Sequence, residues 1–508
     1  MKIERIKNTK RNIVWGMVNK VATLICPFIM RTVLIYTLGL EYLGLGSLFT
    51  SILQVLNMAE LGISSVIIFS MYKPIAENDS DKICALLKFY KKAYQIIGMI
   101  IFVIGLMLTP FLKFLIKGGY PDDINLYILY LLYLFNTVIS YFLFAYRTCL
   151  LTAHQRNDVI SNISTVVYLF QYILQIVLLI LYKNYYLYYL VVPLSTVIDN
   201  LYSAIITKKM YPHYICKGKL SIDEKRFIRK NIGGLMLGKV CVTSRNSLDN
   251  IFISSFLGLN AVAIYGNYYY VLSAIIGFLQ VVCTAISAGI GNSVASEKKE
   301  KNYKDLLNIS FLYSWIAGWC AICMLNLYQP FMQIWVGKEK MLTMVEVILF
   351  CTYFYALTMG DIRAQYSAAA GLWWEGRYYV AAETIGNFFL NWLFVKYFGI
   401  AGIIAATLVT ILICNFIWGS QIVFRYYFKT ISSKQFFINH LKHIIITFLA
   451  GSITWGLNVH LIKSSNMFAT LFGRGVMCIL IPNIIFIVFY KNTKLFREST
   501  RLIKRLIK

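Results

Sequence analysis

The chain has 508 residues, 59% hydrophobic and only 14% charged, yet 49 Lys and Arg against 22 Asp and Glu leave a net charge of +27. A soluble globular domain is about 45–50% apolar and about 25% charged, and a disordered chain is poorer still in apolar residues, so both classes are excluded and a polytopic membrane protein remains. Nucleic-acid binding would account for the charge but not for the apolar runs, so no nucleic-acid partner is expected and the position of each basic residue becomes the question.

Dividing the chain at charged and Pro/Gly breaks gives fourteen runs of the roughly 20 mostly apolar residues that a spanning helix needs. They fall near 12–38, 46–70, 93–112, 124–146, 159–182, 186–206, 231–256, 262–290, 306–327, 342–362, 378–395, 400–424, 443–462 and 466–490. The basic stretch Met1 to Arg11 leads into a run far longer than a signal h-region, with no small-residue cleavage site, and is expected to be a retained cytoplasmic start. Of the basic residues, 37 fall in connections on the side that holds both termini. The other side has only Lys113, Lys117, Lys183, Lys338, Lys340, Lys396 and Lys463, an asymmetry that puts both termini in the cytoplasm. Five remain inside the spans: Lys20, Arg31, Lys239, Arg245 and Arg474. The tail Lys491 to Lys508 alternates basic and apolar residues and is expected to lie as an amphipathic helix on the anionic inner leaflet.

Most of the 11 cysteines sit inside apolar runs, so no disulfide framework is indicated. Cys320 and Cys323 form a CxxC without a second pair or a histidine nearby and read as packing residues. His440 and His443, spaced i,i+3 at a helix start without a third ligand, read as surface residues. No metal site is predicted.

The chain repeats itself at an offset of 219. Asn12-Ile13 matches Asn231-Ile232, Met17 matches Met236, Lys20-Val21 matches Lys239-Val240, Leu38-Gly39-Leu40 matches Leu257-Gly258-Leu259 and Leu53 matches Leu272. With one extra residue, Pro110-Phe111 matches Pro330-Phe331. Six spans separate the copies, so the repeat is parallel. The predicted fold is an all-α polytopic membrane protein of about 14 transmembrane helices: two parallel-repeat six-helix bundles, 1–206 and 231–424, joined by a basic cytoplasmic linker 207–230. Helices 13 and 14 occupy 425–490, and 491–508 is the basic tail. Two like bundles around a central cavity make a transporter architecture.

A charge at mid-membrane costs roughly 2.5–3.5 kcal/mol on insertion scales, so such residues normally face a bundle interior or a wet cavity. Lys20 and Arg31 lie about three turns apart on one face of span 1, with Gly16, Thr23 and Pro27. Span 7 carries the matching stripe Lys239, Thr243, Asn246 and Asn250, with Arg245 and Asp249 on an adjoining sector. Lys20, Arg31, Lys239 and Arg245 are therefore predicted to line a cationic cavity with Asn246, Asp249 and Asn250. Snorkelling of Lys20 and Arg31, and a structural i,i+4 pair between Arg245 and Asp249, are the competing readings. On span 2, Gln54, Asn57 and Glu60 recur every three residues and are expected to turn inward together, with Asn57 at the substrate. Asp199, Glu346, Asp361 and Glu383 are further embedded acids, and Asp361 with Arg363 reads as an end cap of span 10. Arg474, between two glycines, reads as a snorkelling or packing residue.

No Gly-rich phosphate loop, HExxH, GxSxG or spaced Cys/His cluster occurs. The external connections are short, which argues against an enzyme with a large extracytoplasmic catalytic loop. The stretch from Arg31 through Leu-Gly-Leu-Glu-Tyr-Leu-Gly (38–44), Ala-Glu-Leu-Gly-Ile (59–63) and Tyr-Lys-Pro-Ile-Ala (72–76) to Lys92 resembles the N-terminal part of bacterial polysaccharide flippases. These are the Wzx-like polysaccharide transporters of the multidrug/oligosaccharidyl-lipid/polysaccharide exporter (MOP) superfamily.

The resemblance implies a flippase, not an enzyme, in the bacterial cytoplasmic (inner) membrane. It would turn a polyprenyl-diphosphate-linked oligosaccharide from the inner to the outer leaflet by alternating access, for capsule, O-antigen or exopolysaccharide export. The family's cavity cations would fall on Lys20, Arg31, Lys239 and Arg245, and Tyr268, Tyr269 and Tyr270 are candidates for stacking on sugar. Membrane lipid, a polysaccharide polymerase and glycosyltransferases are the implied partners. A monomer is expected, since the duplicated bundles supply both halves. No cofactor is implied, and the coupling ion, sodium or proton, stays open. The alternatives are a multidrug or small-molecule exporter of the same fold, which should line its cavity with carboxylates and aromatics, and a membrane polymerase of lipid-linked glycans.

Overall fold

The structure is a computed structural model that describes residues 5–60, 62–462 and 466–507. Met1 to Glu4, Leu61, Lys463 and Lys508, which figure in the charge and motif readings above, lie outside the described residues. The described chain is helical throughout, without a strand, and divides into two compact units, Met1–Ala263 and Ile264–Lys508.

The first unit contains α1 (Arg5–Thr37), α2 (Leu40–Leu56), α3 (Ile63–Glu77), α4 (Ser80–Leu108), α5 (Leu126–Phe142), α6 (Thr148–Ala153), α7 (Asn157–Tyr182), α8 (Tyr185–Met210) and α9 (Ile222–Leu257). Helix α1 lies along α7, and its asparagines explain the register. Asn12 donates to the Gln155 carbonyl at 3.1 Å and accepts from the Asp158 amide at 2.7 Å, and Asn19 donates to Thr165 Oγ1 at 3.0 Å. Helix α9 packs within this unit, on α2 and α3. It opens on a capping box in which Ser221 and Glu224 satisfy each other's main-chain amides.

The second unit takes up α10 (Leu259–Ser296) from Ile264 onward, then α11 (Lys299–Val336), α12 (Met344–Met359), α13 (Asp361–Ala369) and α14 (Arg377–Thr410). A π-helical stretch Ile411–Trp418, α15 (Gly419–Val423) and a second π-helical turn Phe424–Phe428 continue α14 without a loop. Helices α16 (Lys434–Leu461), α17 (Met467–Tyr490) and α18 (Lys494–Ile507) close the chain. Their core joins Phe311 and Ile322 of α11 to Ala450, Phe486 and Tyr490, with Trp315, Leu495 and Phe496 against it.

Among the described residues, ten helices are long and apolar enough to cross a membrane, and the bent pair Leu126–Phe142 and Ala145–Ala153 makes eleven. Three further features account for the fourteen predicted runs. Arg377–Phe428 is 52 residues long, roughly 78 Å at 1.5 Å per residue, and breaks at Gly399, so it holds two crossings. Helices α2 and α3 together cover the predicted run 46–70, with the 3-10 turn Asn57–Glu60 between them, and α9 carries the embedded charges that lower its hydropathy. This is a multi-pass all-helical membrane protein.

The repeat is visible in the helix boundaries. Gly39 and Gly258, offset by 219, both adopt the positive φ that L side chains avoid (+113° and +92°), and each separates a long helix from the next. Leu40 begins α2 as Leu259 begins α10, Glu77 ends α3 as Ser296 ends α10, and Ser80 begins α4 as Lys299 begins α11.

Several expectations are corrected. His440 and His443 are not surface residues: both are buried, with Nδ1 of His440 at 3.0 Å from the Phe436 carbonyl and Nδ1 of His443 at 2.7 Å from the Tyr490 hydroxyl. Helix α16 begins at Lys434 and turns both rings onto Phe311, Phe436 and Tyr490. The apolar start of the tail is not left for lipid either. Leu495 and Phe496 pack against the α11 core, and the buried Ser499 hydroxyl reaches Asn308 Oδ1 at 3.3 Å. Arg363 is 1% exposed, not a loop cation.

Candidate functional site

The polar stripe of α9 is built against α2 and α3. Lys239 Nζ donates to Ser65 Oγ at 3.3 Å, Ser247 Oγ to Gln54 Oε1 at 3.1 Å, and Asn250 Nδ2 to Ser51 Oγ at 2.9 Å. Lys239 itself is exposed and Asn246 half-buried, whereas Arg245 and Asp249, one turn apart, are buried at 6% and 3% exposure. On α1, Lys20 is exposed and Arg31 half-buried. The first unit therefore holds all four predicted cations. It fixes Lys239 and Asn250 through serines of α2 and α3, residues whose role no charge pattern announces.

Gln54, Asn57 and Glu60 do not share one face. The helix tightens to a 3-10 turn at Asn57–Glu60, and Gly62 follows at φ +101°. Gln54 goes to α9, while Glu60 is held by two hydroxyls: Tyr94 donates to Oε1 at 2.5 Å and Tyr141 to Oε2 at 2.7 Å. Tyr90 donates in turn to Tyr94 at 2.8 Å, and Asn57 Oδ1 accepts from Tyr141 at 3.3 Å. This is a carboxylate at a break in a span with a tyrosine relay behind it, and it puts Asn57 beside Glu60.

On the basic side of the same unit, a cleft of about 500 Å³ lies between the ends of α3 and α4 and the start of α9, floored by Phe69, Leu86, Leu220 and Ile228. At its rim Lys82 Nζ meets Glu224 Oε1 at 2.7 Å. That bond and the Ser221 amide pull the Glu224 carboxyl below the usual range. The connection that follows α8 is fastened here too: the buried His154 ring stacks on Tyr211 at 4.3 Å, and Lys217 Nζ lies 3.6 Å from Asp81.

In the second unit Tyr268 is removed from the list of sugar contacts. It is fully buried, donating to Gln329 Oε1 at 2.7 Å and accepting from the Leu342 amide at 3.2 Å. Among the described residues no group of three or more His, Cys, Asp or Glu side chains is arranged to hold a metal ion.

Residues 9–287, more than half of the chain, match the family described as "Polysaccharide biosynthesis protein". The chain belongs to that family. No curated protein matches this member of it. Its fold is similar to the lipid II flippase MurJ in an inward closed conformation, at a TM-score of 0.64 and 14% identity over 94% of this chain and 99% of the other. It is also similar to a mutant of the Vibrio cholerae MATE transporter VcmN, at 0.57 and 14% over 84% and 98%. A third similar structure is a MOP superfamily transporter from Pyrococcus furiosus, at 0.53 and 15% over 82% and 96%. At these identities the likeness is one of fold. Family and fold together support a lipid-linked flippase or exporter.

Proposed function

We propose that the protein is a flippase that moves polyprenyl-diphosphate-linked oligosaccharide units from the inner to the outer leaflet of a bacterial cytoplasmic membrane. Both termini would be cytoplasmic, the two six-helix repeats 1–206 and 231–424 would rock about the 207–230 linker, and the protein would act as a monomeric carrier, not an enzyme. The observation that carries this reading is the sign of the embedded charge. Lys20, Arg31, Lys239 and Arg245 outnumber Asp249 on the two repeat-equivalent helices α1 and α9. A diphosphate brings about two negative charges, and one cation at 4 Å from such a charge contributes about 4 kcal/mol at an effective dielectric of about 20, against about 1 kcal/mol in water. Membership in a polysaccharide biosynthesis family and a fold like that of a lipid II flippase point the same way. The polymerase and glycosyltransferases of the same polymer would be its functional neighbours, with a sodium or proton gradient as driving force.

The likeness to MATE transporters favours one rival, export of a small soluble molecule. Reconstitution in liposomes separates the two. A labelled polyprenyl-diphosphate sugar should become accessible on the opposite leaflet with the purified protein, and Lys239→Ala should slow this at least tenfold. Equal rates for the two proteins would overturn the cationic site.

A further inference from the structure

The cleft on the basic side of the first unit joins an apolar interior to a charged rim. Of its floor, Leu86, Leu220 and Ile228 are buried, whereas Phe69 opens outward with Tyr72 and Phe227, all three exposed. Its volume of about 500 Å³ falls within the roughly 300–1,000 Å³ of pockets that enclose a small ligand. Water finds few partners against such walls, so an apolar occupant is favoured.

The position of the cleft in the bilayer follows from the spans. Phe69 lies at the end of the run 46–70, and Phe227 lies just ahead of the run 231–256, so the mouth opens where hydrocarbon gives way to headgroups. The rim lies beyond it: Lys73 near the end of α3, Lys82 in the first turn of α4, and Asp223 and Glu224 in the first turn of α9.

That rim is balanced in charge. Lys73 pairs with Glu77 at 3.7 Å, Lys82 with Glu224 at 2.7 Å, and Arg226 with Asp223 at 3.8 Å. A basic pocket between helices selects an anionic headgroup. Here each of these cations already has an acid, and a headgroup of one sign would take a partner from a pair without replacing it. A zwitterion replaces both. The two long pairs are the loosest, with the side chains of Lys73 and Asp223 80% and 93% exposed, so each is free to turn to a headgroup.

We propose that the cleft binds one acyl chain of phosphatidylethanolamine from the leaflet on the basic side, with the lipid phosphate at Lys73 and its ammonium donating to Asp223. The occupied cleft ties the end of α3 to the start of α9. This site is independent of what the protein carries, since neither Lys73 nor Asp223 belongs to the polar stripe of α9.

Native mass spectrometry tests it on the full-length protein, released from detergent after incubation with equal amounts of phosphatidylethanolamine and phosphatidylglycerol of the same chains. Wild type is expected to retain one lipid and to favour phosphatidylethanolamine by at least about fivefold. Leu86→Trp fills the floor and should lower retention by about tenfold. Asp223→Lys leaves the floor intact and should turn the preference toward phosphatidylglycerol, which keeps the test open if Leu86→Trp folds poorly. Equal retention of the two lipids by wild type, an unchanged preference in Asp223→Lys, or undiminished retention by a folded Leu86→Trp protein would overturn the inference.

Discussion

The two copies of the repeat part company at one span, and the difference locates the acids. In the first copy the 3-10 turn Asn57–Glu60 separates α2 from α3, whereas in the second the equivalent residues run through α10 unbroken. Tyr94 and Tyr313 are repeat equivalents on α4 and α11, and each donates to a carboxylate: Tyr94 to Glu60, Tyr313 to Asp361 at 2.5 Å. With the one-residue insertion, the place of Asp361 is taken in the first copy by Tyr141, the second donor to Glu60. The place of Glu60 is taken in the second copy by Leu279, so the carboxylate has moved while the hydroxyl that donates to it is kept. Where the acid lies on the second helix of the repeat, that helix is broken; where it has moved to the end of the fourth, the second helix is continuous. Duplication preserved the helix boundaries, and the polar interior diverged.

The largest effect that can break this comparison is at the acids. Glu60→Leu leaves the Tyr94 and Tyr141 hydroxyls without their acceptor and is expected to cost roughly 2–3 kcal/mol. Asp361→Leu takes the acceptor from Tyr313 and should cost about 1–2 kcal/mol. Unfolding midpoints in detergent give the order, and a larger loss at Asp361 would reverse the assignment of the tighter site.

Next come the helix breaks. Gly62→Ala forces a side chain into φ +101° and should cost about 1–2 kcal/mol, while Val281→Ala, at the repeat-equivalent and exposed position inside α10, should change stability by less than about 0.5 kcal/mol. Equal effects at the two positions would mean that the break is not a property of the first copy alone.

The smallest effect is at the rim of the basic cleft. Glu224→Gln should cost at most about 1 kcal/mol, because the Lys82–Glu224 pair is a third or more exposed. The folded-state pKa of Glu224 is depressed, so its contribution is present above the ordinary carboxylate pKa and fades as pH falls through the folded value. Protection of residues 211–228 against hydrogen exchange, taken relative to the intrinsic rate at each pH, should therefore fall in acid in the wild type and stay level in the variant.

What could be read in the sequence follows from how local each signal is. Apolar runs, the asymmetry of basic residues and the Leu-Gly-Leu register are properties of single segments, and they yielded the spans and the repeat. The three-residue spacing of Gln54, Asn57 and Glu60 was legible as a pattern but not as its cause, since i,i+3 describes a helix face and an eclipsed 3-10 turn alike. Arg363 looked like a connection residue because Asp361 and Arg377 flank it in sequence. Its burial depends on Gly360, Gly419 and a π-helical Asn415, which come together only in three dimensions. His440 and His443 were hidden for the same reason: their surroundings arrive from α11 and α17. Of the candidate site, the cations on α1 and α9 stood out by their cost in a bilayer, while Ser51 and Ser65, which hold Asn250 and Lys239, carry no such mark.

The central claim is that embedded cations serve an anionic, lipid-linked cargo, and the most direct measurement is where that cargo resides in cells producing Arg245→Ala. The variant is expected to insert at wild-type levels while oligosaccharide-linked polyprenyl diphosphate accumulates on the cytoplasmic leaflet and polymer at the surface falls at least tenfold. Normal surface polymer from an inserted Arg245→Ala protein, with no lipid-linked units retained inside, would contradict the account.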